Sequence, residues 1–467
     1  MYDKTAGYLK SKGYDIKIFN LVNPKNSDGY NPLMHIQSEI DVDVIANTIV
    51  KGQTEVQNQA DPYWDDMAEM LLKALIYYLL ATRPEEEQNL ASCAELVRAA
   101  NNNGAGNLLT ELMNQLPYDH PARMNYKSIE IAPEKTYSSI LSSLQSKLGK
   151  FDSKDIAELT STNTIDFEEI GSKKTAVFVI SSDTHAAYDF LLTIFFSQMI
   201  QRLYDFADIK GGALPQPTYF ILDEFANIGK IPDFDKKIST SRSRKISFSV
   251  ILQNLDQLEA VYEKSHETII GNCDTTLFLG SNSQKTVEYF SKELGEKTIN
   301  RDSWSVSKDK HMWRQGYNKQ DQVMARALMT PDELRRLDND LCIIFEKGIK
   351  PIKAPKYYYF KYDTIKLVNR FACSHNDIDP IDRGKWRKYN PYNPYVEESE
   401  EKKQDTKIES LDDLFDDDIS DNKIDESAPE LPQDDITNNE NDVLSYDVQK
   451  ELEAKFDELF GALEDDN

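Results

Sequence analysis

The chain has 467 residues, 40% of them hydrophobic, and a formal net charge of −26; that suits two or three domains of ~100–200 residues each, with material for a sizeable core. The charge is uneven: residues 397–467 carry 27 acidic and 6 basic side chains, a net of −21, which leaves −5 for the first 396 residues, so the overall acidity does not exclude a nucleic-acid partner for the body. The longest apolar runs, 70–81 and 190–196, are well short of the ~20 residues of a membrane helix, and the chain alone is expected to be soluble.

The first twenty residues read as a helix followed by a strand over 14–19, the second half of a β-α-β unit, and 41–52 reads as a further helix. From about 59 to 165 the signal is helical. Apolar residues at 67, 70, 71, 74, 75, 78 and 79 keep a 3.6-residue period, and turn residues such as those of "NNNGAG" (101–106) separate such segments. Strands are expected at 175–180, 218–222, 246–252, 275–280, 341–346 and 356–362, with helices at 184–206, about 230–240, 255–264 and 284–294. Alternation of this kind predicts a doubly wound, mostly parallel α/β sheet whose strands are buried on both faces. Its ligands are expected at the C-terminal strand ends. The stretch 301–319, with Lys, Arg, Trp304 and Trp313, reads as a long exposed loop that can also track a nucleic-acid backbone.

Four cysteines, Cys93, Cys273, Cys342 and Cys373, form no CxxC pair, which suits a reducing compartment. Cys373 and His375 are close but lack companions, so no metal site is expected there. After about 395 the composition shifts to Asp, Glu, Asn, Ser and Lys, too polar to bury a core, and a disordered acidic tail is expected. Within it, 448–463 places Val448, Leu452, Phe456, Leu459, Phe460 and Leu463 on one helical face. Such a helix either binds a partner or folds back on the body.

Chemistry concentrates around "TYFILDEFANIG" (218–229), where an apolar strand runs into Asp223 and Glu224. A carboxylate at a buried strand end is costly unless a charge meets it. In P-loop ATPases that charge is nucleotide-bound Mg²⁺: Asp223 would hold the ion through a water and Glu224 would deprotonate the attacking water. The plain alternative is a strand end whose acids cap the next helix. "STSRSRKISFSVILQN" adds Arg242 and Arg244 before the next strand and Gln253 near its end. There Gln253 can sense the γ-phosphate, and Arg242 can act as an arginine finger on a neighbouring subunit. The alternative for the arginines is a solvated basic turn or phosphate contacts to DNA.

The segments "LDEFANIGKIPDF", "STSRSRKISFSVILQNLDQLEAVY", "ETIIGNCDTTLFLGS" and "LMTPDELRRLDNDLCIIFEKGIKPI" resemble motifs of the type IV coupling proteins. These are the TraG/TraD-like ATPases of conjugative DNA transfer and type IV secretion. The resemblance covers roughly residues 2–365. It implies a RecA-like P-loop NTPase core, here 1–52 and 166–365, interrupted by an all-α domain at 53–165. A linker at 366–396 and the tail at 397–467 follow. It further implies ATP and Mg²⁺ as cofactors, a homo-hexamer at the cytoplasmic face of the membrane, and DNA translocation. The implied partners are single-stranded DNA, relaxase and relaxosome proteins and the secretion channel, with the acidic tail as a docking segment. Asp223 and Glu224 match the second ATPase motif, Gln253 the third-motif glutamine and Arg242 the arginine finger, with Arg244 the near alternative. No DNA-contacting residue is implied.

One departure is large. The family carries a membrane anchor and a GxxxxGK[ST] loop, and this sequence holds neither. "GSKKTA" (171–176) has the wrong glycine spacing and precedes a strand, and "IGK" (228–230) lacks the rest. The sequence is therefore expected to be an N-terminally truncated coupling protein with impaired ATP binding. A non-catalytic adaptor that recruits substrate through the helical domain and tail is the competing expectation, and another FtsK/HerA-like DNA translocase a third.

Overall fold

The structure is a computed structural model that describes residues 1–51, 62–101, 108–182, 188–308, 315–375 and 378–392. The chain divides into units 1–396 and 397–467. The acidic tail and its 448–463 segment lie outside the described residues, so only the first unit is described.

The chain opens with helix α1 (Tyr2–Ser11) and strand β1 (Asp15–Asn20). β1 pairs in parallel with β2 (Thr175–Ile180), in register from Asp15↔Thr175 to Asn20↔Ile180. Strands 155 residues apart in sequence thus lie side by side. Between them the described residues form helices and turns with no strand: α2 (Glu39–Lys51), α3 (Pro62–Thr82), α4 (Leu90–Asn101), α5 (Leu108–Asn114), α6 (Pro121–Glu130), α7 (Glu134–Leu148), α8 (Lys154–Ser161) and α9 (Phe167–Ser172). The 3.6-residue pattern in α3 does what it predicts, burying Leu71, Leu72, Leu75, Ile76 and Leu79 completely against neighbouring helices.

A long helix, α10 (Asp189–Ile209), then packs under the strands. Phe195 on α10 is fully buried and stacks on Phe19 of β1 with ring centroids 4.7 Å apart. Tyr30 meets Phe195 edge-on at 4.9 Å, and its hydroxyl donates to buried Gln198 Oε1. The Gln198 amide in turn donates to Pro32 O at 3.0 Å, so these buried polar groups are satisfied.

The second parallel pair is β3 (Thr218–Leu222) with β4 (Ile246–Val250), followed by α12 (Leu255–Tyr262) and α13 (His266–Gly271); α11 (Phe234–Thr240) lies between the two strands in sequence. β3 departs from the expectation of a strand buried on both faces. Its residues alternate, with Phe220 and Leu222 buried but Tyr219 72% and Ile221 58% exposed. Only one face of the strand is covered in this chain, so a continuous apolar run here does not mean two-sided burial.

The remaining described strands pair antiparallel, beside the two parallel pairs. β5 (Thr275–Phe278) is followed by α14 (Gln284–Leu294) and pairs antiparallel with β8 (Leu341–Glu346). β8 pairs antiparallel with β9 (Ile352–Pro355). A short turn joins β8 to β9, too short for the crossover that parallel strands require. The 301–319 stretch is not a loop along its described length. β6 (Glu296–Lys308) and β7 (Gln315–Ala327) form an antiparallel hairpin, with residues 309–314 outside the described set. α15 (Pro331–Arg335) follows, started by a Thr330–Glu333 capping box. The expected strand at 356–362 is instead a turn after β9, where Tyr357 and Tyr362 stack at 4.5 Å.

After α16 (Thr364–Arg370) the chain crosses to the helical region. Arg387 Nε donates to Glu87 at 2.8 Å, and Arg387 also pairs with Glu86. The backbone N–H of Tyr389 donates to Ser92 Oγ at 2.9 Å, and the buried Tyr389 ring lies beneath Arg83 at 4.2 Å. Glu87 is 1% exposed, a buried carboxylate made tolerable by two guanidinium partners, Arg83 and Arg387. None of this was visible from the polar composition of 378–392, because the pairing is long-range.

Candidate functional site

Two adjacent parallel strands build the site. The ladder between β3 and β4 continues past their ends: Ile251 N–H donates to Leu222 O at 3.0 Å, and Phe225 N–H to Ile251 O at 3.1 Å. That continuation sets the segments 223–225 and 251–253 side by side. Glu224 stands between Leu222 and the anchor Phe225 in a left-handed conformation, φ 49°. A non-glycine residue there costs on the order of 1–2 kcal/mol. The surroundings hold it, for Phe225 is fully buried and stacks on Tyr262 at 5.5 Å and against Phe234 at 4.8 Å. The Thr193 hydroxyl of α10 donates to Ile228 O and fixes the turn after Phe225. Gly229 has φ 84°, and a Cβ there would come within 2.5 Å of Thr193 Oγ1. No other residue fits that position without displacing α10 or the turn.

Held this way, the Glu224 carboxylate meets Gln253. The Gln253 amide donates to Glu224 Oε1 at 3.0 Å and to Oε2 at 3.2 Å. Asp223 is exposed at the strand end, and Glu224 is half-buried beside it. The structure thus places Asp223, Glu224 and Gln253 at one C-terminal strand edge.

Arg242 and Arg244 are elsewhere. They form the short turn before β4, at the N-terminal edge of the same strands. Five strand residues separate them from the Glu224 edge, roughly 17 Å at ~3.3 Å per residue. Arg244 is also committed: its Nε and Nη2 donate to the Asp208 carboxylate at 3.1 Å each, and its guanidinium lies 4.9 Å from the Tyr204 ring. Arg242 is exposed. Neither arginine is set to meet Glu224 of its own chain.

The donor chemistry suits Mg²⁺ better than a softer ion. Asp223 and Glu224 offer hard carboxylate oxygens, and among the described residues no group of three or more His, Cys, Asp or Glu is placed to hold a metal. Two carboxylates do not make a cage, but they match an ion that keeps waters and arrives with a phosphate chain. Asp223 would bind such an ion, which would supply charge neutralisation for a transferring phosphoryl group. Glu224 and Gln253 would orient a water.

Sequence reasoning missed the parts that hold these residues. Thr193 and Thr286 lie outside the motif segments, and Gln257 lies inside one with nothing local to mark it. Asn254 caps α12, accepting from Gln257 N–H at 3.0 Å.

Among the described residues no helix is long and apolar enough to cross a membrane. Residues 1–377 match the family described as type IV secretory system conjugative DNA transfer. Similar curated proteins include VirD4 of Rhizobium radiobacter, 27% identical over 46% of this chain and 30% of its own length. A probable conjugal transfer protein TraG of Sinorhizobium fredii is 22% identical over 79% of this chain and 57% of its own length. The chain spans about a third to just over half the length of these relatives. Among solved structures, the conjugative coupling protein TrwBΔN70 superposes with a TM-score of 0.52 at 16% identity, covering 76% of this chain and 81% of that one. TrwB with a non-hydrolysable ATP analogue superposes with a TM-score of 0.51 at 16% identity, over 77% and 83%. The likeness shows the fold, a RecA-like α/β core with helices between β1 and β2.

Proposed function

The chain belongs to the type IV secretory system conjugative DNA transfer family, and from that premise we propose that it is a coupling protein in which Glu224 and Gln253 form the water-activating pair of an ATP-driven DNA translocase. The observation that carries this reading is the Gln253 amide on the Glu224 carboxylate at 3.0 and 3.2 Å, at the C-terminal ends of two parallel strands. Asp223 takes the Mg²⁺ side of the site through a water. Glu224 accepts the proton of the attacking water, and Gln253 fixes the carboxylate's orientation and senses the γ-phosphate. Arg242, at the far edge of its own strands and exposed, acts on the nucleotide of a neighbouring subunit, with Arg244 the alternative. That use requires an oligomer, a hexamer in this reading, at the cytoplasmic face of the membrane. The substrate is single-stranded DNA carrying relaxase, delivered to the secretion channel. The acidic residues 397–467 dock substrate or accessory proteins.

A GxxxxGK[ST] loop supplies most backbone contacts to a triphosphate, and a polypeptide of these 467 residues alone carries no such motif. Purified protein is expected to hydrolyse ATP weakly or not at all in a phosphate-release assay with Mg²⁺. Hydrolysis at a steady rate that Glu224→Gln abolishes would overturn that expectation while supporting the role of Glu224. A steady rate that Glu224→Gln leaves intact would sink the site itself.

A second reading, carried by the acidic residues 397–467, is a non-catalytic adaptor that recruits transfer proteins. Both readings assign docking to the tail. Pull-down of relaxosome proteins is expected to fail with a chain lacking residues 397–467. Retention of binding by that deletion removes the docking role.

A further inference from the structure

The Glu224–Gln253 pair is braced by two residues, Gln257 and Thr286, to which the site described above gives no role. Gln253 lies in a short connection between β4 and α12, exposed to solvent, where a glutamine ordinarily samples several rotamers. Here the connection is pinned from two sides. Gln257, one turn into α12, accepts the backbone N–H of Gln253 on its side-chain Oε1 at 3.3 Å. Gln257 is itself fixed, because its N–H donates to the Asn254 cap.

The second brace comes from α14. The buried Thr286 hydroxyl accepts the N–H of Leu255, the first residue of α12, at 3.1 Å. Ser283 caps α14 by accepting from Thr286 N–H at 3.2 Å, and its hydroxyl donates to Asp256 of α12. α14 therefore satisfies an orphan N–H at the start of α12, and Asp256 of α12 holds the Ser283 cap of α14. α14 leads through Gly295 directly into the β6–β7 hairpin. The segment carrying Gln253 is thus tied by direct hydrogen bonds to the element that bears the hairpin.

We propose that Gln257 and Thr286 are positioning residues that hold Gln253 against the Glu224 carboxylate. Gln257 fixes the backbone of Gln253, and Thr286 fixes the start of α12 relative to α14. A shift of α14 against α12 would move Gln253 relative to Glu224. The functional meaning of this brace rests on the water-activating role given above, but its existence does not.

The test reads Gln253 directly, in the full chain and without nucleotide. In a sample labelled with ¹⁵N-glutamine, the Gln253 side-chain amide is identified by its loss in Gln253→Met. Gln257→Ala and Thr286→Val are each expected to move that signal toward the position of a free glutamine. They should also speed its exchange with water roughly fivefold, as loss of one ordinary hydrogen bond implies. Gln257→Glu keeps the acceptor and Thr286→Ser keeps the hydroxyl, so both should restore the wild-type signal. Wild-type signals in both Gln257→Ala and Thr286→Val would overturn the proposal. So would Glu or Ser variants that behave like the Ala and Val ones, because bulk packing rather than the specific acceptor would then be responsible. Failure of the catalytic reading appears separately, as ATP hydrolysis indifferent to Glu224→Gln.

Discussion

Replacing Phe195 by Ala is expected to cost about 3–5 kcal/mol of folding stability, the usual range for a fully buried aromatic. Phe195 is 0% exposed at the junction of β1, α9 and α10. It stacks on Phe19 and meets Tyr30, Phe167 and Phe196 edge-on at 4.9, 5.4 and 5.7 Å. Four rings lose their partner at once. For a body of this size the melting temperature should fall by about 5 °C. The effect should reach the site, since Thr193 on the same helix holds the turn after Glu224 through Ile228 O. Urea titration of Phe195→Ala, with Phe195→Leu as a milder step, checks the magnitude. A loss under ~1 kcal/mol for the Ala variant would mean that the ring cluster does not carry this core.

Acid should weaken the same region through His35. Its ring stacks on Phe167 at 4.2 Å and on Tyr30 at 5.5 Å, and its Nε2 lies 2.9 Å from Asn163 Oδ1. Burial pushes the imidazole down to about 4; the Asn163 hydrogen bond and Asp166 oppose the shift, and Arg202 adds to it. The unfolded chain takes up this proton near pH 6.5, whereas the folded chain resists it until about 4. Between those values the unfolded state binds more protons, so stability falls as pH drops through that window and is fully retained above it. The loss is at most about 3 kcal/mol by pH 4, and less to the extent that His35, half-buried by surface, is reached by water. Unfolding free energy measured at pH 7.5 and 4.5 should differ more for the wild type than for His35→Gln, which cannot titrate. Equal pH dependence in the two proteins would assign acid sensitivity to the carboxylates instead.

How far the site was legible depends on the distance over which its parts are specified. "TYFILDE" and "SFSVILQN" each announce an apolar strand ending in polar chemistry, because strand burial is written in consecutive residues. The helical stretch was legible for the same reason, since a 3.6-residue period is local. The hairpin of β6 and β7 was not, for its ladder depends on pairing between residues up to thirty-one apart, Glu296↔Ala327 at the base. Nor was the docking of Arg387 and Tyr389 on the helical region, where partners lie about 300 positions away.

The sequence by itself determined the family, the order of strands and helices in outline as far as α14, and which residue types stand at the strand ends. Those are carried by local patterning and motif identity. Only the tertiary structure decided that Gln253 reaches Glu224 while Arg242 and Arg244 do not. The physical reason is register: parallel pairing of Leu222 with Val250 puts the residues after both strands at one edge and the residues before them at the other. Tertiary packing also decided that Glu224 can keep its left-handed backbone, because buried Phe225 and the Thr193–Ile228 hydrogen bond hold the turn that begins beside it.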